Sequence, residues 1–195
     1  MHRSIRLAVA AGLASTTPLV GACTNVSDDA VGRRGAALVG TSAVFVNELH
    51  YDNAGGDTGE AIEVAGPAGT DLTGYQIVLY NGSSSVRAPY DTIELSGTID
   101  DEGAGFGALS FTPPGGSIQN GGPDGFALVD ADGDLLQFLS YEGTFEAASG
   151  VAAGETSTDI GVSEASSTAV GDSLQLSGAG VLYADFTWSG PAESS

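Results

Sequence analysis

At 195 residues the chain is sized for one ordinary domain plus a short targeting segment, since a single core usually stays undivided up to about 250 residues. Five basic residues stand against 25 acidic ones, and none of the five is a lysine; such a field repels phosphate backbones and anionic headgroups and disfavours direct nucleic-acid binding. A single cysteine excludes an internal disulfide, so the folded part must rest on its core.

In chain order, residues 1–23 read as an export signal: Arg3 and Arg6, an apolar run from Leu7 to Val20, then Gly21, Ala22 and Cys23. The run is too short and too interrupted to span a bilayer permanently. Val20-Gly21-Ala22-Cys23 resembles the bacterial lipobox, which implies a lipid on Cys23 and a membrane anchor through it. An ordinary signal-peptidase cut at the same bond, releasing the chain, is the alternative. All 25 acids follow Cys23 and only Arg33, Arg34 and Arg87 oppose them, a net charge of −22 on the exported part. Cations and cationic partners are its natural company, although such a surface also serves solubility in salty media.

Residues 24–42 carry no apolar periodicity and read as a flexible tether. From residue 43 to 195 short runs rich in Val, Ile, Leu, Phe and Tyr alternate with Gly, Pro, Asn, Asp and Ser clusters about every ten residues, the spacing of a β-sandwich or barrel. The runs predict nine strands, at 44–51, 60–65, 74–81, 90–96, 107–112, 126–130, 134–142, 172–178 and 183–188, in two packed antiparallel sheets with no helix. Ala131-Asp132-Gly133 predicts a hairpin turn, and Asn81-Gly82 a second reversal. Residues 146–170 are expected to form a long surface loop, with room for one short strand.

Segments 44–82, 117–130, 135–143, 154–168 and 173–188 together resemble the lamin-tail-like domains of bacterial secreted and surface proteins. The resemblance implies an immunoglobulin-like antiparallel β-sandwich of about nine short strands. It implies a binding or structural module, because no catalytic residues are established for that domain type. Such domains also accompany extracellular nucleases and phosphatases, so an accessory role in such a system is an alternative. The family's Pro-Gly-x-x-Asn-x-Gly-Gln tail is replaced after Pro191 by Ala192-Glu193-Ser194-Ser195, and the chain is expected to be short at that end.

Glu48, His50 and Asp52 alternate, which places them on one face of a strand, with Asp57 and Glu60 in the loop that follows. Carboxylates and an imidazole at that spacing could ligate a metal, calcium before zinc because oxygen dominates. A hydrogen-bonded or solvated histidine is the commoner reading of a lone histidine at a strand end. Asp130-Ala131-Asp132-Gly133-Asp134 mimics a calcium loop but lacks the distal bidentate glutamate and sits where a turn is required. For nucleophilic catalysis the exported part offers one histidine, no lysine and no G-x-S-x-G elbow. A stand-alone hydrolase using two carboxylates remains a further alternative. Phe138, Trp188, Phe186 and Tyr75 are expected in the core, and an exposed glycan-stacking platform is the lesser reading of them. The whole reads as an exported, lipid-anchored module at the bacterial cell envelope or surface. It is expected to have no catalytic activity and an open protein or glycan partner.

Overall fold

The computed structural model describes residues 42–194; the export signal, Cys23 and nearly all of the tether lie outside them. Ten strands form: β1 (Phe45–His50), β2 (Ala61–Pro67), β3 (Gln76–Asn81), β4 (Ala88–Glu94), β5 (Phe106–Phe111), β6 (Asp124–Val129), β7 (Leu135–Tyr141), β8 (Thr158–Asp159), β9 (Asp172–Gly178) and β10 (Phe186–Glu193). Every expected run holds a strand. The ninth gives its first three residues, Tyr183–Asp185, to a 3-10 turn, and the extra strand, β8, lies inside the long 146–170 segment.

The strands make two five-stranded sheets, β10-β9-β1-β2-β5 and β4-β3-β6-β7-β8. Pairing is antiparallel except for β8, which runs parallel to β7. Alternating apolar residues of both sheets meet in the main core, where Val46, Leu49, Ile62, Val64, Ile77, Leu79, Phe126 and Leu139 are fully buried. Each such side chain contributes about 1.5–3 kcal/mol by leaving water.

β1 keeps this alternation only by breaking it once. Val46 pairs with Val64 and Glu48 with Glu63, so Asn47 is an unpaired bulge residue. The extra residue resets the parity: Val44 and Val46 before it, and Leu49 and Tyr51 after it, all face the same core. Val46 N–H donates across the sandwich to Gln137 Oε1 of β7 at 2.8 Å, a buried bond that ties the two sheets together at the bulge.

The long segment after β7 is more than the expected surface loop. Phe145, Ala147 and Ala152 close over the outer face of the second sheet, forming a second core with Val78, Tyr80, Ala127, Val129 and Phe138. Phe138 and Phe145 meet edge-on at 5.3 Å between ring centres, and Ala152 N–H donates to the Tyr80 hydroxyl at 3.0 Å. Two alanines can lie flat against aromatic rings, which is how a segment poor in large apolar residues still builds a core. Gly82 is required beneath this roof, because a Cβ there would stand 2.3 Å from both Phe145 Cδ1 and Pro123 O.

Candidate functional site

β1 ends at His50 and delivers Tyr51, Asp52 and Asn53 to the rim of the sandwich, all with little or no exposure. Glu164, from the long segment between β8 and β9, closes over that end. Its Oε2 accepts the Tyr51 N–H at 2.6 Å and the Asp52 N–H at 2.9 Å, and its Oε1 sits 2.9 Å from His50 Nδ1. Glu164 N–H donates to the Tyr51 hydroxyl at 2.8 Å, and that hydroxyl donates to Glu142 Oε1 at 3.0 Å. The other ring nitrogen of His50, Nε2, lies 2.8 Å from Asn53 Nδ2 and 3.2 Å from the Thr58 carbonyl oxygen. His50 is therefore oriented at both nitrogens.

Asp52, Asp57 and Glu60 gather beside this clasp. Burial, and then the neighbouring charge of Asp57, pushes the Asp52 carboxyl above the ordinary aspartate range. Glu60 is likewise pushed up by burial, although its Oε2 accepts the Ile118 N–H. Asp57 accepts from Asn53 N–H at 3.3 Å and from Asn120 Nδ2 at 3.2 Å. Among the described residues, no group of three or more His, Cys, Asp or Glu side chains is arranged to hold a metal ion.

Glu48 shares the face of His50, as the alternation requires, but serves a different neighbourhood. Its Oε1 accepts from Ser173 Oγ at 2.7 Å and Ser194 Oγ at 2.6 Å. It belongs to a row of outward residues that crosses the whole first sheet in register: Ser189, Gln175, Glu48, Glu63 and Ser110. Glu63, held by Asn47 Nδ2 at 2.6 Å, is pushed up to about 7 by burial, with the charges of Glu48 and Glu102 acting in the same direction.

The turn reading of 130–134 holds. Asp130 Oδ1 accepts the N–H groups of Asp132 at 3.0 Å and Asp134 at 2.9 Å, and Gly133 has φ +86°, a conformation suited to glycine. Asp124 opens β6 and accepts the Gly82 N–H at 2.9 Å; burial lifts its carboxyl to about 6. Of the expected core aromatics, Phe138 and Trp188 are buried, while Tyr75 packs against the main core half-buried. Phe186 is half-buried, and its ring lies 5.6 Å from that of Phe45 at a tilt of 40°.

Of the five residues singled out in the sequence, His50, Asp52, Asp57 and Glu60 lie near one another and Glu48 is bonded elsewhere, while Glu164, Asn53 and Asn120, which hold them, were not foreseen. Glu164 lies 113 residues from the tyrosine it binds, in a segment whose composition reads as loop. Comparison with protein-family models, with curated proteins and with solved structures gives no match.

Proposed function

We propose that the chain is an exported binding or display module of the lamin-tail-like, immunoglobulin-like kind, anchored to the membrane through a lipid on Cys23 and acting without catalysis of its own. One observation supports this above others: the groups best suited to acid–base chemistry are spent on holding the fold together. The Glu164 carboxylate takes two backbone amides and the imidazole, and His50 is engaged at both nitrogens. A general base needs a lone pair directed at a substrate, and here three of the roughly four acceptor sites of Glu164 and both nitrogens of His50 are already engaged. The described domain is also strongly acidic, with Arg87 its one basic residue, a composition suited to cationic partners.

The test is made on the native protein in its own envelope. The membrane fraction should hold the chain, with an N-terminal peptide that begins at Cys23 and is heavier by a diacylglyceryl group, and Cys23→Ala should release the protein to the medium. An unmodified Cys23 on a freely secreted chain would refute the anchor. Hydrolysis of DNA or of a phosphomonoester that survives repurification and disappears in His50→Ala would refute the non-catalytic reading.

A further inference from the structure

A sheet edge is a row of unpaired N–H and C=O groups, and soluble proteins blunt such rows with prolines, bulges, short strands or cover. Three of the four edges here are blunted. β4 carries Pro89 and a bulge at Tyr90; β8 is only Thr158–Asp159; β10 carries Pro191 and an irregularity after Ser189. β5 has no proline, bulge or shortening, and cover only at its first residue, where Gly103 bridges to Phe106. It pairs with β2 without interruption from Phe106 to Phe111, contains neither proline nor charge, and among the described residues no strand pairs with its other side.

The direction of its free groups follows from the loop before it. Glu102 N–H donates to Phe106 O and Phe106 N–H to Gly103 O, so the backbone groups of Phe106 point away from β2. Antiparallel strands alternate this direction residue by residue, so Ala108 and Ser110 present the open donors and acceptors. Their side chains share the outer face of the sheet, and Ser110 ends the polar row that runs through Glu48 and Glu63.

We propose that the open edge of β5 docks an extended, lysine- or arginine-bearing strand of a partner protein, which lengthens the sheet and sets its cation toward Glu63. This deepens the binding-module reading and rests on it. The strand's residue beside Ser110 falls two strand spacings, about 10 Å, from Glu63, a gap that a long basic side chain and the glutamate close between them. Every charge acting on Glu63 is negative, from Glu48 and Glu102. Asp100, Asp101 and Glu102 lie in the loop just before the strand, and Glu102 is hydrogen-bonded to its first residue. The same charges argue against a second copy, since β5 paired with β5 would bring two such acidic edges together in chains of net charge −20.

The probe is an acetylated hexapeptide of alternating valine and lysine, added to the isotopically labelled full chain and followed by amide NMR and hydrogen exchange. Binding should slow exchange at Ala108 and Ser110 above all other sites. Ser110→Pro removes an N–H that points away from β2 and should weaken binding about tenfold; peptide N-methylated on its bonding edge should lose as much, a control independent of whether the variant folds. Glu63→Gln, or glutamate for lysine in the peptide, should weaken binding at least severalfold. Equal binding of the N-methylated peptide would reduce the attraction to diffuse charge and overturn the proposal, as would protection of another surface. Self-association that protects the same two amides would overturn it in favour of a second copy. A partner captured from the envelope that protects a different surface would overturn the β5 assignment while leaving the module reading intact. Capture of no partner, with DNA or phosphomonoester turnover instead, would overturn both.

Discussion

Glu63 faces Glu48 across the β1–β2 pair with one side-chain donor, Asn47, to hold its carboxylate. Its carboxyl rises from 4.5 to about 7 because burial disfavours the charged form. Between those values the folded chain binds more protons at this site than the unfolded chain, so stability falls as pH rises from 4.5 through 7 and levels off above. At about 1.4 kcal/mol per pH unit the loss is about 3 kcal/mol. Glu63→Gln keeps an oxygen for Asn47 and cannot ionise. At pH 8 the variant should therefore be more stable than the parent by about 3 kcal/mol, or roughly 6–12 °C in Tm for a domain of this size. At pH 4.5 the two should melt together. Asp52, Glu60 and Asp124 are also pushed up by burial and weaken the parent at high pH in the same sense, which is why the difference between the two proteins is the quantity to follow. Thermal melts at pH 4.5 and 8 decide it. An equal gain at both pH values would trace the effect to packing, and no gain at pH 8 would refute the ionisation argument altogether.

Glu164→Ala should cost about 3 kcal/mol, since two buried backbone donors and an imidazole lose a charged acceptor; exchange at Tyr51 and Asp52 should quicken, and Glu164→Gln should recover part of the loss. Gly82→Ala should destabilise by about 1–3 kcal/mol by pushing Phe145 off the second core, read as a lower Tm with loss of aromatic near-ultraviolet dichroism. Sodium chloride from 0.01 to 1 M should raise Tm, because the screening length falls from about 30 to about 3 Å across a surface crowded with acids; a flat or falling Tm would defeat that expectation. If millimolar calcium stabilises beyond sodium at equal ionic strength, the excess should vanish in the Asp52→Asn, Asp57→Asn double variant, and calcium that merely matches sodium would end the metal reading of Glu48, His50, Asp52, Asp57 and Glu60.

The nine expected strands were legible because each buries at least part of one face, and burial writes itself into the sequence as alternation or as a continuous apolar run such as 126–129; β8, exposed at both residues, left no such mark. The bulge was legible in principle: the inward residues of β1 step by two from Val44 to Val46, then by three to Leu49. The roof of the second sheet was not, because Ala147 and Ala152 look the same in a loop as in a core, and only the rings of Tyr80 and Phe138 beneath them decide. Nor was the clasp, since nothing near Glu164 in sequence announces partners in β1. The alternation of Glu48 with His50 gave their shared face correctly, yet not that Ser173 and Ser194 would draw Glu48 away from the histidine.

Asn47 also sets where this chain can change length. The strand before it and the strand after it are two frames joined by one surplus residue, and both frames deliver side chains to the same core. Deleting that residue would turn one half over, sending Val44 and Val46 outward and Phe45 inward, or else expelling Leu49 and Tyr51. Adding a residue would do the same. Insertions and deletions are thus closed to β1, while the exposed turn at Ser84–Ser85 can absorb them at far less cost to buried side chains. The Val46–Gln137 bond is the checkpoint of this frame, since the donor meets its acceptor across the sandwich only when the count is right.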